Sequence, residues 1–414
     1  MQFHFLHAAD IHLDRSLNGL RLGEDSPLWQ APRLAFAALV DEAIRSRAAF
    51  LVLAGDIYDG AWKDSSTGLF FNRQMGRLRD AGIPVYLKYG NHDAIAAMPK
   101  TLHAPDNVHI FPSDAPRTFT LDEQQVALHG QSFRDADTRD NLVDRYPAPV
   151  PGMLNIGVLH TALEGTPPHA PYAPCSVGQL RAFGYDYWAL GHVHGHKIHS
   201  QDPWIVFPGN LQGLHVNEPG ARGAVRVSVA DGRIQQVEQL FVDVLRWATL
   251  EVELAGAAEP ADAWQRLSTG LTELVRAADG RHLCVRVVFA GKTKLHPWMV
   301  RNSQQVEDET SGQATAVSDE ITIEQVRVRT QDVAPPSRDH ADAMSDLQGY
   351  LDQASSDPEF LASLRDALSP ACAELAPSED DPDAHPHIAR VRDADFASLA
   401  ASKKDELLYR IGDA

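Results

Sequence analysis

Five short segments of this 414-residue chain share one layout, in which an apolar run of strand length is followed by Asp, His or Asn. In an open α/β sheet, the carboxyl ends of the strands border the crevice where ligands bind. Side chains that follow several such strands are therefore expected to meet. The segments end in Asp10-Ile11-His12, Gly55-Asp56, Gly90-Asn91-His92-Asp93, Leu159-His160 and Gly191-His192-Val193-His194.

The order of the elements predicts a layered α/β fold for residues 1–240. Apolar runs alternate with amphipathic segments such as residues 32–47, which have helical spacing and a proline suited to the first turn. Later strands follow one another directly, and one pair turns at Asp231-Gly232, a hairpin signal. This order favours an α-β-β-α sandwich over a purely parallel sheet.

Two smaller regions follow the predicted sandwich. Residues 241–334 predict an α+β capping unit with three strands and a helix that ends at a glycine. Within it, the polar stretch 302–320 is compatible with either a loop or a short helix. Residues 335–414 predict an acidic tail of helical patches joined by a linker.

The net charge of the chain disfavours one class of protein but does not identify the substrate. The formal net charge of −19 argues mildly against a dedicated nucleic-acid binder, which usually has a basic field. Residues 331–414 hold 18 acidic and 7 basic side chains, whereas residues 1–240 hold 25 and 20. The acidity is therefore concentrated in the tail, and the substrate stays open.

The sequence predicts a cytoplasmic location. Its three cysteines are far apart and in no paired spacing, which fits a reducing compartment. The first residues lack the basic and apolar pattern of a signal peptide. No stretch approaches the roughly 18 apolar residues of a membrane span, so no membrane partner is expected.

The donor types in the five segments predict two divalent metal ions. Imidazole, carboxylate and amide donors without a thiolate suit Mn²⁺, Fe or Zn²⁺ better than Ca²⁺ or a sulfur cluster. Of these metals, Mn²⁺ is the one expected. Seven ligands exceed what one tetrahedral ion needs and suffice for two ions that share a carboxylate. Such a pair can activate water and stabilise both oxygens of an in-line phosphoryl displacement.

Local geometry supports the same site. Side chains two residues apart on an extended backbone point the same way, so Asp10 with His12 is expected to reach one metal cluster. The same argument applies to His192 with His194. The glycines that precede three of the ligands are expected to let the backbone turn sharply towards the ion.

The ordered motifs D-x-H, GD-x-x-D-G, GNHD, an isolated strand-end His and GH-x-H resemble the calcineurin-like metallophosphoesterase superfamily. Within it, AGDIYDG, YDYWALGHVHGH and FPGNLQGLHVNEPGARG look most like the SbcD- and YhaO-type subunits of bacterial DNA repair nucleases. The resemblance covers most of the chain and weakens after about residue 330.

The resemblance implies roles for the site residues. It divides the ligands into two sets and a bridge: Asp10, His12 and His194 for one ion, Asn91, His160 and His192 for the other, and Asp56 between them. It also implies that His92 lies over the scissile phosphate, as a proton donor or a charge stabiliser, and that Asp93 orients its imidazole.

Other residues near the motifs stay open. Asp59 occupies the position where archaeal and eukaryotic relatives tend to carry a second histidine. A role in the turn or behind the ligands and a direct catalytic role are both compatible with it. His196 and His215 are most simply loop residues, although each could face the site.

The resemblance implies a metal-dependent DNA nuclease of 3′→5′ exonuclease type, with endonuclease action also open. It further implies an SMC-like ATPase partner, for which residues 341–376 are the expected contact, and a homodimer. The acidic balance favours an alternative in the same superfamily, a phosphodiesterase or phosphatase that acts on a small molecule. A protein phosphatase fits less well, because GDIYDG lacks the phosphate-binding arginine of that branch.

Overall fold

A computed structural model describes residues 1–17, 20, 26–60, 65–95, 104–163, 172–333, 343–374, 396–397 and 399–400. The chain forms two compact units. The first comprises Met1–Asn18, Leu22–Leu214 and Gly220–Arg246, and the second comprises Gly19–Arg21, His215–Pro219 and Trp247–Ala414. Among the helices of the described residues, none is long and apolar enough to cross a membrane.

The first unit is built on two six-stranded sheets. Its strands are β1 (Gln2–Ala8), β2 (Leu51–Ala54), β3 (Val85–Lys88), β4 (Val108–Ile110), β5 (Arg117–Leu121), β6 (Val126–Gly130), β7 (Leu154–His160), β8 (Tyr187–Gly191), β9 (Lys197–Gln201), β10 (Trp204–Phe207), β11 (Gly223–Ala230) and β12 (Arg233–Phe241). The strand orders are β12-β11-β1-β2-β3-β4 and β5-β6-β7-β8-β10-β9.

Parallel strands form the centre of both sheets. Strands β1 to β4 pair in parallel, and β11 and β12 extend that sheet in the antiparallel sense. In the second sheet β6, β7, β8 and β10 are parallel, and antiparallel strands lie at both edges. An apolar core that includes Phe5, Val52, Ile156 and Val206 joins the two sheets. The predicted layered sandwich is confirmed.

Among the described residues of this unit there are three α-helices: α1 (Ala31–Ser46), α2 (Ser66–Asp80) and α3 (Val177–Ala182). Helix α1 has a proline in its first turn and ends before Arg47, which has a left-handed φ of 57°. Ser176 caps α3 by accepting a hydrogen bond from Gln179 N at 3.1 Å. Asp231 and Gly232 both have positive φ in the tight turn between β11 and β12, which confirms the predicted hairpin.

The second unit has a three-stranded sheet and helices. Its elements are β13 (Leu245–Glu253), α4 (Pro260–Ala278), β14 (His282–Lys292), α5 (His296–Arg301), α6 (Ser303–Val317), β15 (Ile321–Gln331), α7 (Ala343–Ser356) and α8 (Pro358–Glu374). Strand β14 is central and pairs in parallel with β15. Leu267, Leu271, Phe289 and Val306 contribute to one apolar core. The polar stretch 302–320, open between loop and helix in the sequence, is largely helix α6.

The structure describes only part of the predicted acidic tail. Helices α7 and α8 match the first two predicted helical patches. Most of the third patch and the predicted linker lie outside the described residues, as do residues 334–342. The proposed domain boundaries at 240 and 334 therefore stay predictions.

Candidate metal centre

The ends of five strands bring the predicted ligands together. Strands β1, β2 and β3 are neighbours in the first sheet, and β7 and β8 are neighbours in the second. Each strand delivers its ligands at or just beyond its carboxyl end, so both sheets contribute to one crevice. The residues delivered are Asp10, His12, Asp56, Asn91, His160, His192 and His194.

The backbone at four of these ligands has a conformation that L-residues seldom adopt. The φ angles of Asp10, His12, Asp56 and His192 are 52°, 47°, 53° and 102°. The expectation of an extended backbone at the paired ligands is therefore wrong, because the chain bends sharply once each strand has ended. Strained residues of this kind cluster at functional sites, where the surrounding structure holds them.

Two glycines are needed because other groups approach them closely. A Cβ atom on Gly90 would collide with Asp56 Oδ1 and the ring of His160. On Gly191 it would collide with the carbonyl oxygen of Ala54. Neither position requires a positive φ. Their role is to let strand ends and ligands pack against each other.

One cluster of ligand atoms comprises Asp10, His12 and His194, whose candidate donor atoms lie within 4.8 Å of one another. The Nε2 atoms of His12 and His194 face each other at 3.3 Å. The other nitrogen of His12, Nδ1, lies 3.3 Å from Asp59 Oδ1, within ion-pair distance. This carboxylate lies behind the ring, so His12 Nε2 is directed at the cluster.

A second cluster comprises Asp56, His160 and His192, again within 4.8 Å. His160 Nδ1 donates to the carbonyl oxygen of Ala54 at 3.0 Å, which directs Nε2 at the cluster. That Nε2 lies 2.9 Å from Asn91 Oδ1 and 3.2 Å from Asp56 Oδ2. Three electron-pair donors therefore converge, and only a proton or a cation between them relieves the repulsion.

The donor chemistry of both clusters fits divalent metal ions. Imidazole nitrogens, carboxylates and one amide oxygen form the set, and sulfur is absent from the described clusters. Burial favours the neutral acid at Asp56, but the charge of His160 and its hydrogen bond hold the pKa of Asp56 well below its usual range. An ionised carboxylate at this depth is suited to a metal ion.

His92 lies beside the clusters and is paired with Asp59. Its Nδ1 is 2.8 Å from Asp59 Oδ1, and its side chain is 39% exposed. Burial alone would lower the pKa of His92, but the hydrogen bond to Asp59 and the charges of Asp56 and Asp59 raise it to about 9. In the metal-free protein this favours the protonated imidazole at neutral pH, which can donate to an incoming group.

The structure assigns the two neighbouring carboxylates differently from the expectation. The carboxylate against His92 belongs to Asp59, not to Asp93. Asp93 is fully buried and accepts from the backbone N–H groups of Ile57 and Gly90, both at 2.7 Å. Asp93 thus ties together the two loops that carry Asp56 and Asn91. In the sequence, the position of Asp59, three residues after Asp56, was the one feature that could have indicated it as the partner of His92.

The remaining candidate histidines occupy other positions. Neither His196 nor His215 belongs to the metal-ligating clusters found among the described residues. His215 lies in the second unit, where it faces Glu218 at 3.6 Å. His7 is buried beneath the site, with its two nitrogens 3.0 Å from Tyr187 Oη and 3.1 Å from the carbonyl oxygen of Leu190.

Two facing sheets that deliver acidic, amide and imidazole donors at their strand ends are typical of dinuclear phosphoesterases. In agreement, residues 3–196 match the calcineurin-like phosphoesterase family, and residues 247–331 match the middle domain of metallophosphoesterase YhaO. This chain belongs to the calcineurin-like metallophosphoesterases.

The chain is also similar to individual proteins of known sequence or structure. The uncharacterized metallophosphoesterase YhaO of Bacillus subtilis is 34% identical over 294 residues, which cover 69% of this chain and 71% of that one. The DNA double-strand break repair protein Mre11 of Methanopyrus kandleri is 27% identical, over 66% of this chain and 64% of the archaeal protein's length. A solved dimetal phosphatase from Danio rerio is 12% identical, covers 58% of this chain and 99% of its own, and has a TM-score of 0.34.

Proposed function

We propose that this protein is a metal-dependent DNA nuclease that hydrolyses phosphodiesters at a centre of two divalent ions, with Mn²⁺ as the metal. The observation that carries the hydrolytic part is the pair of donor clusters at the strand ends. We assign 3′→5′ exonuclease action to it, with endonuclease action as a further activity of the same centre.

Each site residue has a defined task in this proposal. The ions, when bound, supply an activated water and neutralise charge on the phosphate. Asp10, His12 and His194 would hold one ion, and Asn91, His160 and His192 would hold the other. Asp56 would be shared between the two sets.

The protonated His92 lies at the edge of this centre and donates its proton to the leaving oxygen of the ester. Asp59 keeps that imidazole oriented and charged through the 2.8 Å contact. Asp93 acts indirectly, by fixing the two ligand loops through their backbone N–H groups.

DNA as substrate rests on the resemblance and on the name of the archaeal relative, a DNA double-strand break repair protein. An SMC-like ATPase as partner rests on the resemblance alone. Helices α7 and α8 are the proposed ATPase contact, since they expose large apolar side chains, with Tyr350 71% and Phe360 43% exposed. Exposed Leu34 on α1 and Leu69 on α2 would fit a homodimer contact. The free, buried Cys175 and Cys284 fit the proposed cytoplasmic location.

A small phosphodiester is the second candidate substrate, and the net charge of −19 favours it. DNA binding depends on cationic side chains that neutralise phosphates, and an acidic chain supplies few of them. A cyclic nucleotide or dinucleotide would need far fewer such contacts.

Parallel assays with Mn²⁺ separate the two candidates. Linear duplex DNA and bis-nitrophenyl phosphate are offered to wild type and to Asp56→Ala, with metal content measured on the same samples. The nuclease proposal expects hydrolysis of both by wild type and of neither by the variant. Turnover of the small ester without DNA cleavage, even with the ATPase present, would assign the small-molecule function instead.

The partner proposal has its own test. A pull-down with the ATPase is expected to fail when residues 335–414 are deleted. Double substitution of Tyr350 and Phe360 by Ser should weaken it in the full chain. Binding that survives the deletion would move the contact elsewhere.

A further inference from the structure

The interior beside the metal centre contains a lysine that the proposed reaction does not use. Lys88 is the last residue of β3, and its side chain is fully buried. Its Nζ atom is buried and has no hydrogen-bond partner within the described part of the chain. A buried ammonium without hydrogen bonds destabilises a fold, so packing alone does not account for lysine here.

The surroundings of Lys88 connect it to the ligands. Its Nζ lies 4.8 Å from the centroid of the Phe133 ring, within the range of a cation–π contact. The same ring meets the imidazole of His160 at 87°, with 5.7 Å between centroids. Lys88 also pairs with Ala54 across β2 and β3, and Ala54 accepts the hydrogen bond from His160.

The carboxylates of Asp56 and Asp93 partly compensate for the burial of the Lys88 ammonium. Burial lowers the pKa of Lys88 to about 7, and the negative charges of Asp56 and Asp93 oppose that fall. The attraction is mutual, so a charged Lys88 also stabilises those carboxylates. Asp56 is the proposed bridge between the ions, and Asp93 ties the ligand loops.

We propose that Lys88 is a positioning residue that sets the affinity of the centre for divalent cations. Its ammonium partly neutralises the negative charge of Asp56 and Asp93. It also repels cations that the same carboxylates bind. The inference rests on the metal centre of the proposed function.

The direction of the effect follows from electrostatics. Removing a positive charge from a low-dielectric region near a cation site strengthens cation binding, because that region screens charge poorly. Loss of a merely structural side chain would instead loosen the ligands and weaken binding. The sign of the change in metal affinity therefore distinguishes the two roles.

The test is calorimetric titration of Mn²⁺ into metal-free full-length protein at neutral pH. Lys88→Met keeps length and apolar volume and is expected to bind Mn²⁺ about tenfold more tightly than wild type. Lys88→Gln is a second neutral variant that should shift the same way, and Lys88→Arg should restore the wild-type affinity. Lys197→Met removes an equal charge from an exposed position on β9 and is expected to leave the affinity unchanged, since water and salt screen it.

Each outcome is informative. Wild type that does not bind Mn²⁺ overturns the metal centre itself. Wild type that binds, with unchanged or weaker binding in the folded neutral variants, overturns only the role of Lys88. An equal shift in Lys197→Met would also overturn it, because the effect would then reflect net charge alone. Circular dichroism confirms that each variant is folded.

Discussion

Two sets of buried polar groups, one in each unit, are arranged in opposite ways. In the second unit, Arg286 on β14 and Glu324 on β15 form a bidentate pair with two hydrogen bonds of 2.7 Å, and both side chains are less than 10% exposed. In the first unit, buried groups of the same polarity converge. His12 and His194 face each other nitrogen to nitrogen, and His160 faces two oxygens.

The Arg286–Glu324 pair is closed on itself, whereas the donor atoms of the first unit converge on one another. The Arg286 pair satisfies its own charges, so it can contribute only to the fold. The converging donors of the first unit repel one another unless a cation lies between them. Substitutions should therefore lower activity in the first unit and stability in the second.

The largest effect is expected at Asp56. Asp56→Ala removes the proposed bridge and should lower bis-nitrophenyl phosphate hydrolysis by about a thousandfold or more, since metal catalysis contributes several kcal/mol. Bound metal, measured by mass spectrometry, should fall in parallel. A variant with normal metal content and activity would contradict the site.

The matching change in the second unit should affect only the fold. Arg286→Met leaves Glu324 buried and unpaired, and it is expected to lower the free energy of unfolding by about 3 kcal/mol. Urea denaturation measures this. The double variant Arg286→Met/Glu324→Leu serves as the control and should recover most of the loss. Loss of Mn²⁺ binding by folded Arg286→Met would break the proposed contrast.

His92 tests a group that acts on substrate without holding metal. His92→Ala should lower kcat about a hundredfold, as expected for loss of a general acid, while metal content stays normal. Asp59→Asn should reduce kcat less and lower the apparent pKa of the basic limb of the pH–rate profile, because the raised pKa of His92 depends on Asp59. An unchanged basic limb would remove Asp59 from this role.

Both ring nitrogens of His7, in the first unit, have hydrogen-bond partners. The smallest predicted effect is the loss of stability when this histidine is protonated. Burial lowers its pKa to about 3 in the folded chain, whereas the unfolded value is 6.5. The unfolded state therefore binds the proton first, so stability is complete above pH 6.5 and falls as the pH drops towards 3. At pH 5 the loss should be about 2 kcal/mol.

Urea unfolding at pH 7 and pH 5 checks this. His7→Gln keeps hydrogen-bonding capacity without a titrating ring, so it should lose about 2 kcal/mol less than wild type over the same interval. Equal losses in the two proteins would show that His7 is not the titrating group.

Local signals in the sequence predicted much of the fold and the choice of ligands. Asp231-Gly232 favours its turn through backbone conformations that few residues adopt, so the hairpin did not depend on distant contacts. Helix α1 followed from apolar spacing and a proline in its first turn. The seven donors stand out because each follows an apolar strand, and strand ends of such sheets share one edge.

Only the tertiary structure decided which carboxylate serves which group. Asp59 and Asp93 look alike in the sequence, yet one contacts His92 and the other accepts backbone N–H groups from two loops. The left-handed backbone at Asp10 and Asp56 was equally hidden, because surrounding structure imposes it against local preference. Lys88 is the clearest case, since a lysine at a strand end suggests exposure. Folding buries it and brings it near Phe133, Asp56 and Asp93, because long-range packing overrides the preference of a single residue.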